Sequence, residues 1–532
     1  MRARSAAAAL STILVLTACP ESPAPVDTPT PTPPTSPVAG GTLTVAVRDL
    51  VTFDPARATD TRLAAGRGTL SALSQVFEPL TRVDPETNRV EPAAATRWRV
   101  SRNRLVWRFF LANRTFHNRR RVTAADFKFS FDRLARTRNA EAAFQLEQVE
   151  GFAQANAGNR RSLAGVSVHR PTVLQIRLQR PFSELAYNLA HPALVPIPRA
   201  LYRRSARGLL RSPVGNGPFR VDRTHDAGAT LVPYDGYRGT TPYLERIEYR
   251  VVRSVEAGWR AYRAGEVQIA DIPPAAVDPS GALYGDEGFT PFWATLSFGF
   301  NLRRPIFRKP IVRRAISLAI DRQAIATTIY GNTRDPATGL IPRGVRGFVA
   351  DACSACAFSE TRAERILDAA FPRRKPTLSI DFYDERSSRQ VARAIQTQLE
   401  AVGLRVGLRA HQRRDYLDVL QTGRFDLAQL GWLSDVPSPD PFLHQQLRTN
   451  QLNNHTGFAN PQFDRALDRA RRDLTEKGRL YWYRRAERIA LEAMPQIPIV
   501  FYRNRTAVAD EVQDFFLNGA GLFDGTRVWL VP

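Results

Sequence analysis

Between Thr377 and Trp432 the chain runs through five segments that alternate strand and helix patterns, an order that few architectures can hold. "TLSIDF" (Thr377 to Phe382) reads as a strand. "SSRQVARAIQTQLEAVG" puts Val391, Ile395, Leu399 and Val402 on one helical face and stops at Gly403. "LRVGLR" is a second strand, "RRDYLDVLQTG" a second helix and "FDLAQLGW" a third strand. Successive βαβ units imply a largely parallel sheet in an α/β domain. Such sheets gather ligands at the carboxyl ends of their strands. The segment leaving the third strand is "GWLSDVPSPDPFLHQQL". There Asp440, followed by Pro441, fits an N-cap with proline at N1. Asp435, just past the strand and close to Trp432, has no such structural role, although an Asp in a Pro-rich loop also suits a turn.

The remaining pattern is that of an ordinary globular chain. At 532 residues it exceeds one hydrophobic core, so two or three domains are expected. "GTLTVAV" reads as a first strand with Leu43, Val45 and Val47 inward, and "RLVWRFFL" and "VLQIRL" as further strands. "TAADFKFSFDRL" is a helix capped by Thr123, with Phe127, Phe131 and Leu134 on one face and Phe129 off it. "PIVRRAISLAI" starts a helix at Pro310 and aligns Ile311, Ala315, Leu318 and Ala319.

The amino terminus reads as an address. "MRARS" supplies positive charge, and "AAAALSTILVLTA" is an apolar run of signal-peptide length, short of the roughly 20 residues that span a bilayer. "LTAC" resembles a bacterial lipobox, which makes Cys19 the expected lipidated first residue of the mature chain. A plain secretory signal is the alternative. Residues 20–40, rich in Pro and Thr, cannot bury enough surface to fold. As polyproline II this tether would reach roughly 60 Å.

Two further cysteines, Cys353 and Cys356, form a lone C-x-x-C. Without a second pair or a nearby His, zinc is disfavoured, and a thioredoxin-like site would need another context. An exported location favours a local disulfide. The net charge of +24 is almost all arginine, since only four of the 75 basic residues are lysine. These arginines are spread along the chain rather than interleaved with aromatics, which argues against nucleic acid as partner and leaves an acidic lipid surface compatible.

From about Gly41 onward the chain resembles the extracytoplasmic solute-binding proteins of the oligopeptide/dipeptide/nickel class that serve ABC importers. The blocks that carry the resemblance come in order: "VFEPLTRVDPETNRVEPAAATRWRV", "SPVGNGPFRV", "RAGEVQIADIPP", "FGFNLRRPIFRKPIVRRAISLAIDRQAI", "GWLSDVPSPDPFL" and "NNHTGFANPQFDRAL". "FHNRRR" departs from the family's usual Asp-Gly turn. The resemblance implies an α/β, two-lobed periplasmic-binding-protein-like (Venus flytrap) fold of type II, class C, with an extra subdomain. It implies a leader over 1–18 and a tether over 19–40. Lobe I would be 41–80 with 213–290 and 500–532, the subdomain 81–212 and lobe II 291–499.

It further implies a monomeric, lipid-anchored binder that hands a peptide to a membrane permease, without catalysis, metal or cofactor. Asp435 would pair with the ligand's α-ammonium, and Gly431 and Leu433 would offer backbone groups to an extended peptide, with Trp432 as a wall or as core. Gln429 stands where some relatives carry a basic residue for the peptide carboxylate, and Val436 replaces a common aromatic. By approximate alignment Arg67, Asp384, Arg386, Arg413 and Tyr502 line the cleft. The same fold could take a nickel chelate, haem or a sugar. An exported hydrolase is the rival class, although G-x-S-x-G and H-E-x-x-H are absent and the seven histidines show no paired ligand spacing.

Overall fold

The strands Thr377–Tyr383, Arg405–His411 and Leu427–Leu433 run parallel, and helices Arg386–Ala401 and Arg413–Thr422 make the crossovers between them. Val391, Ile395, Leu399 and Val402 are all buried, and Gly403 ends the helix in the left-handed region at φ +79. The sheet as a whole is not largely parallel. Beyond Leu427–Leu433 it continues through Pro291–Phe300, Gln496–Arg503 and Arg334–Pro336, each antiparallel to its neighbour. The cause is the route of the chain. Pro291–Phe300 enters the sheet where Leu433 ends, with Ala294 opposite Leu433, so it must run against the three parallel strands.

The computed structural model describes residues 36–60, 66–203, 207–209, 212–277 and 289–532. The leader, Cys19 and the tether as far as residue 35 lie outside the described residues. Residues 37–532 form one compact unit holding all of the cores. A second six-stranded sheet runs in the order Thr506–Val508, Ile269–Asp271, Thr42–Val47, Arg246–Val251, Gly228–Pro233, Phe219–His225. A four-stranded sheet follows the order Ala95–Val100, Val106–Leu111, Val173–Arg177, Val166–Arg170. Each sheet has its own apolar core. Against the four-stranded sheet lies helix Ala124–Ala135, with Phe127, Phe131 and Leu134 buried. Its first turn is closed by Asp126, whose Oδ2 accepts from the Thr123 amide at 2.9 Å and the Thr123 hydroxyl at 2.6 Å.

The chain changes sheets at Asn504 and Arg505, between Gln496–Arg503 and Thr506–Val508. Strand Gln496–Arg503 therefore continues through the expected lobe boundary at 499/500. Asn504 is buried, its amide donates to the Thr290 carbonyl at 2.8 Å, and its side chain donates to Thr290 Oγ1 at 3.1 Å and the Asn518 carbonyl at 3.2 Å. Thr290 stands just before Pro291–Phe300, where the chain enters this sheet after Ile269–Asp271 of the other, so the two crossings are bonded to each other.

Two local expectations change. In helix Pro310–Leu318 the buried stripe is Val312, Ala315, Ile316 and Leu318, while Ile311 is exposed. Arg313 turns the helix inward, its Nε donating to the carbonyls of Ala493 at 2.8 Å and Met494 at 3.0 Å. Asp440 holds the N-cap position with Pro441 after it at the helix start, but its backbone is helical (φ −55, ψ −48) and its side chain makes no capping bond. Its buried carboxylate instead accepts from the Tyr483 hydroxyl at 2.9 Å and pairs with Arg471 at 3.2 Å. Cys353 and Cys356 are joined by a disulfide beside the largest core. Among the described residues no group of three or more His, Cys, Asp or Glu is placed to hold a metal, and no helix is long and apolar enough to cross a membrane.

Glu487 supplies a pH dependence of stability. It is 2% exposed and accepts the amides of Leu340 (2.8 Å) and Ile341 (3.0 Å). Burial pushes its pKa from 4.5 to about 7 despite those bonds. The folded state therefore holds this proton more tightly than the unfolded chain does. The associated stability is complete below about pH 4.5 and is lost as pH rises to about 7. Thermal unfolding across that window should show the falling limb in the parent and a flattened one in Glu487→Gln, whose side-chain oxygen still accepts both amides. A limb of equal size in both proteins would refute the assignment.

Candidate functional site

The three parallel strands end at one edge of their sheet, where Asp384 and Asp435 lie on the loops that leave two of them and Arg413 opens the helix that follows the third. Local sequence decides that Asp435 faces outward. Its neighbours Ser434 and Val436 are both buried, and the Ser434 hydroxyl donates to the Val436 carbonyl at 2.7 Å. With both neighbours turned in, the carboxylate between them is turned toward a cavity of about 580 Å³. Its lining brings Trp293 of strand Pro291–Phe300 and Asp435 together with Phe77, Glu78 and Tyr237 and with Asn518 and Leu522 from the end of the chain. Glu78 is held by Arg114 at 2.8 Å and by the Tyr237 hydroxyl at 2.9 Å, so its charge is already matched.

Asp435 Oδ2 accepts a hydrogen bond from Gln145 Nε2 at 3.1 Å. His191 Nε2 lies 3.7 Å from the same oxygen. His191 Nδ1 accepts the Ala193 amide at 3.0 Å, which assigns the ring proton to Nε2, the atom facing Asp435. Burial lowers the His191 pKa, with the Asp435 charge opposing, so the ring is neutral near pH 7. Glu141 stands near the same carboxylate. Desolvation first, then the Asp435 charge, raise the Glu141 pKa, while Arg413 pulls it down. One oxygen of Asp435 is thus occupied by Gln145, with His191 Nε2 facing it beyond hydrogen-bond reach, and the second carboxylate nearby, Glu141, suits the corner to a cationic guest. Gln145, Glu141 and His191 carry no sequence signal, being single residues nearly 300 positions away from Asp435 in the case of Gln145.

The strand leading to Asp435 has an open side. It pairs with Pro291–Phe300 along its whole length, but with Thr377–Tyr383 only through Leu427 and Ala428. Ser434 N donates to the Trp293 carbonyl, so by antiparallel alternation Trp432 and Leu430 face Pro291–Phe300, and Gly431 and Leu433 direct their backbone groups the other way. Among the described residues no strand covers that edge beyond Ala428. Gly431 is required by packing, since a Cβ there would stand 2.6 Å from the Thr295 carbonyl oxygen. Trp432 packs partly buried against the core of its lobe. Gln429 sits mid-strand opposite Phe298, and its carbonyl accepts the Tyr416 hydroxyl at 2.6 Å.

Of the other expected residues, Asp384 is ion-paired with Arg389 and accepts from Gln412 at 3.2 Å. Arg67 and Tyr502 are not beside Asp435. Arg67 donates to Asn504 Oδ1 at 2.9 Å and lies over the Phe292 ring at 4.9 Å, at the crossing between sheets. Tyr502 stacks under Arg334 at 3.8 Å on a strand of that crossing.

Residues 89–454 match the model of bacterial extracellular solute-binding proteins, family 5. The chain is 24% identical over 470 residues to the dipeptide-binding protein DppE of Bacillus subtilis, covering 85% of this chain and 86% of that one. It is 28% identical over 458 residues to the probable deoxycholate-binding periplasmic protein YgiS of Escherichia coli, covering 80% and 82%. The solved structure of the periplasmic murein tripeptide-binding protein MppA, in its unliganded open form, superposes with a TM-score of 0.83 at 24% identity, over 94% of this chain and 99% of that one. The family consists of substrate-binding proteins that work outside the cytoplasm, not enzymes. With the match spanning most of the folded part, the two-lobed α/β fold around the cavity and the carboxylate at its strand ends belong to a bacterial extracellular solute-binding protein of family 5.

Proposed function

We propose that this protein captures short peptides with a free amino terminus and delivers them to an ABC permease. The observation that carries the reading is Asp435 at the end of the half-open strand Leu427–Leu433. Its carboxylate suits the ligand's α-ammonium, and the free backbone groups of Gly431 and Leu433 suit an extended chain added as a strand. Backbone pairing of this kind accepts varied side chains, and water fills unused space in the pockets. Relatives named for dipeptides and murein peptides support the peptide class. Lobe closure about the paired crossings at Thr290 and Asn504 would then bury the ion pair.

With the chain changing sheets at Asn504, the lobes are assigned as 41–80 with 213–290 and 504–532, and 291–503, with the subdomain at 81–212. The chain works as a monomer, anchored through lipid on Cys19 to the extracytoplasmic membrane face. Arg413 and Asp384 contribute to the cleft from the strand ends. A deoxycholate-like ligand is the second reading, prompted by YgiS. The negative corner of Asp435 and Glu141 disfavours an anionic steroid.

Native mass spectrometry of the isolated protein, followed by calorimetric titration with tripeptides and with deoxycholate, tests the proposal. Peptide masses released on denaturation and micromolar or tighter peptide binding are expected. Binding of deoxycholate alone would overturn the peptide reading.

A further inference from the structure

The four-stranded body carries a basic concavity that peptide capture does not use. The turn at "FHNRRR" is built on Phe116, whose amide bonds the Arg120 carbonyl at 2.8 Å, and it holds Arg119 in the left-handed region at φ +65. Arg119, Arg120 and Arg121 all point to solvent as exposed residues. Facing them, the short helix Arg199–Tyr202 and its following residue add the exposed Arg199 and Arg203. Arg120, Arg121, Arg199 and Arg203 line one hollow of about 470 Å³. Among the described residues none of these five guanidinium groups forms an ion pair within 4.0 Å. The acid in the hollow, Asp126, is spent on structure. Its Oδ2 closes the Thr123 turn, and its Oδ1 accepts the Arg199 amide at 2.9 Å.

We propose that this surface docks the protein body on anionic phospholipid headgroups. Unpaired guanidinium groups are matched to phosphate by charge and by their planar fork of donors. Nucleic acid is disfavoured because the hollow offers no exposed aromatic ring for base stacking, its Phe116 being buried. What stands out beside the arginines instead is an aliphatic side chain, Leu201, 49% exposed, which fits a headgroup layer. The overall charge of +24 adds attraction to such a surface, while the hollow gives it a preferred face. The inference stands apart from the peptide reading and from lipidation at Cys19.

The test uses residues 37–532, the compact unit that contains every core. Co-sedimentation with phosphatidylglycerol/phosphatidylcholine vesicles is compared for the parent, for Arg120→Glu/Arg121→Glu/Arg199→Glu/Arg203→Glu, and for a matched control. The control reverses the exposed Arg365, Arg393, Arg405 and Arg488 of the other lobe. The hollow variant should lose at least ~30-fold in vesicle affinity and the control less than about threefold, with unchanged circular dichroism and thermal unfolding showing that both are folded. Equal losses would mean diffuse charge and would overturn the proposal. So would undiminished binding to pure phosphatidylcholine, or displacement from vesicles by millimolar inorganic phosphate at constant ionic strength. Tighter binding of single-stranded DNA through the same four arginines would also overturn it.

Discussion

Asp435→Ala should weaken binding of free-amine peptides by about 100-fold while leaving N-acetylated versions of the same peptides within about twofold. Removing one partner of an enclosed, hydrogen-bonded charge pair costs roughly 2–5 kcal/mol, and the lower part of that range corresponds to the expected factor. The side chain is 37% exposed with the cavity open to solvent, so the full value depends on enclosure around the ligand. Asp435→Asn separates charge from shape. An amide oxygen can still accept from Gln145, yet it offers the ammonium no negative charge, so Asn should resemble Ala for free-amine peptides. Titration calorimetry with acetylated and free pairs reads the difference directly. Equal losses for both peptides would mean that Asp435 shapes the loop and does not meet the amino terminus.

The second large effect is on stability. Arg479→Met should cost about 3–5 kcal/mol near neutral pH, because it strands Glu184 as a buried unpaired carboxylate. Glu184 is 2% exposed and pairs with Arg479 at 2.5 Å, joining the four-stranded body to helix Glu476–Ala493 of the other lobe. Next to it the Ser183 amide bonds the Arg471 carbonyl at 2.8 Å. Burial raises the Glu184 pKa, and Arg479 is the largest opposing influence. Without Arg479 the folded-state pKa rises further above the unfolded value. The deficit of the variant should therefore be small below about pH 4.5, where both states are protonated, and grow as pH rises. Denaturant unfolding at acid and neutral pH measures it, and Glu184→Gln in the same chain should recover part of the loss. A deficit under about 1 kcal/mol, or one independent of pH, would contradict this account.

The elements around Asp435 were legible because their causes are local. A run such as Val391, Ile395, Leu399 and Val402 has one face to bury, and Gly403 permits the left-handed residue that stops it. Strand direction across the whole sheet was not legible. Pro291–Phe300 has the same apolar pattern whichever way it runs, and its antiparallel placement follows from where the chain crosses between sheets. Asp440 shows local grammar losing to burial. Asp before Pro reads as a cap, but Tyr483 and Arg471, 43 and 31 positions later in the chain, take its carboxylate. The corner around Asp435 was half legible. Its own position follows from the strand ending, whereas Gln145 and His191 arrive from a distant part of the chain, and no periodicity records which faces meet.

The open side of Leu427–Leu433 has a cost when no guest is present. An uncovered row of amides and carbonyls will accept any extended chain, including a second copy of the same strand, and exposed Leu433 would add apolar contact to such a mispairing. The fold contains this hazard by geometry. The uncovered stretch is only a few residues long, and at its start the Gln429 carbonyl is already taken by the Tyr416 hydroxyl. The feature that lets the protein accept many sequences therefore also has to keep out its own kind, and keeping the open edge only a few residues long limits that mispairing.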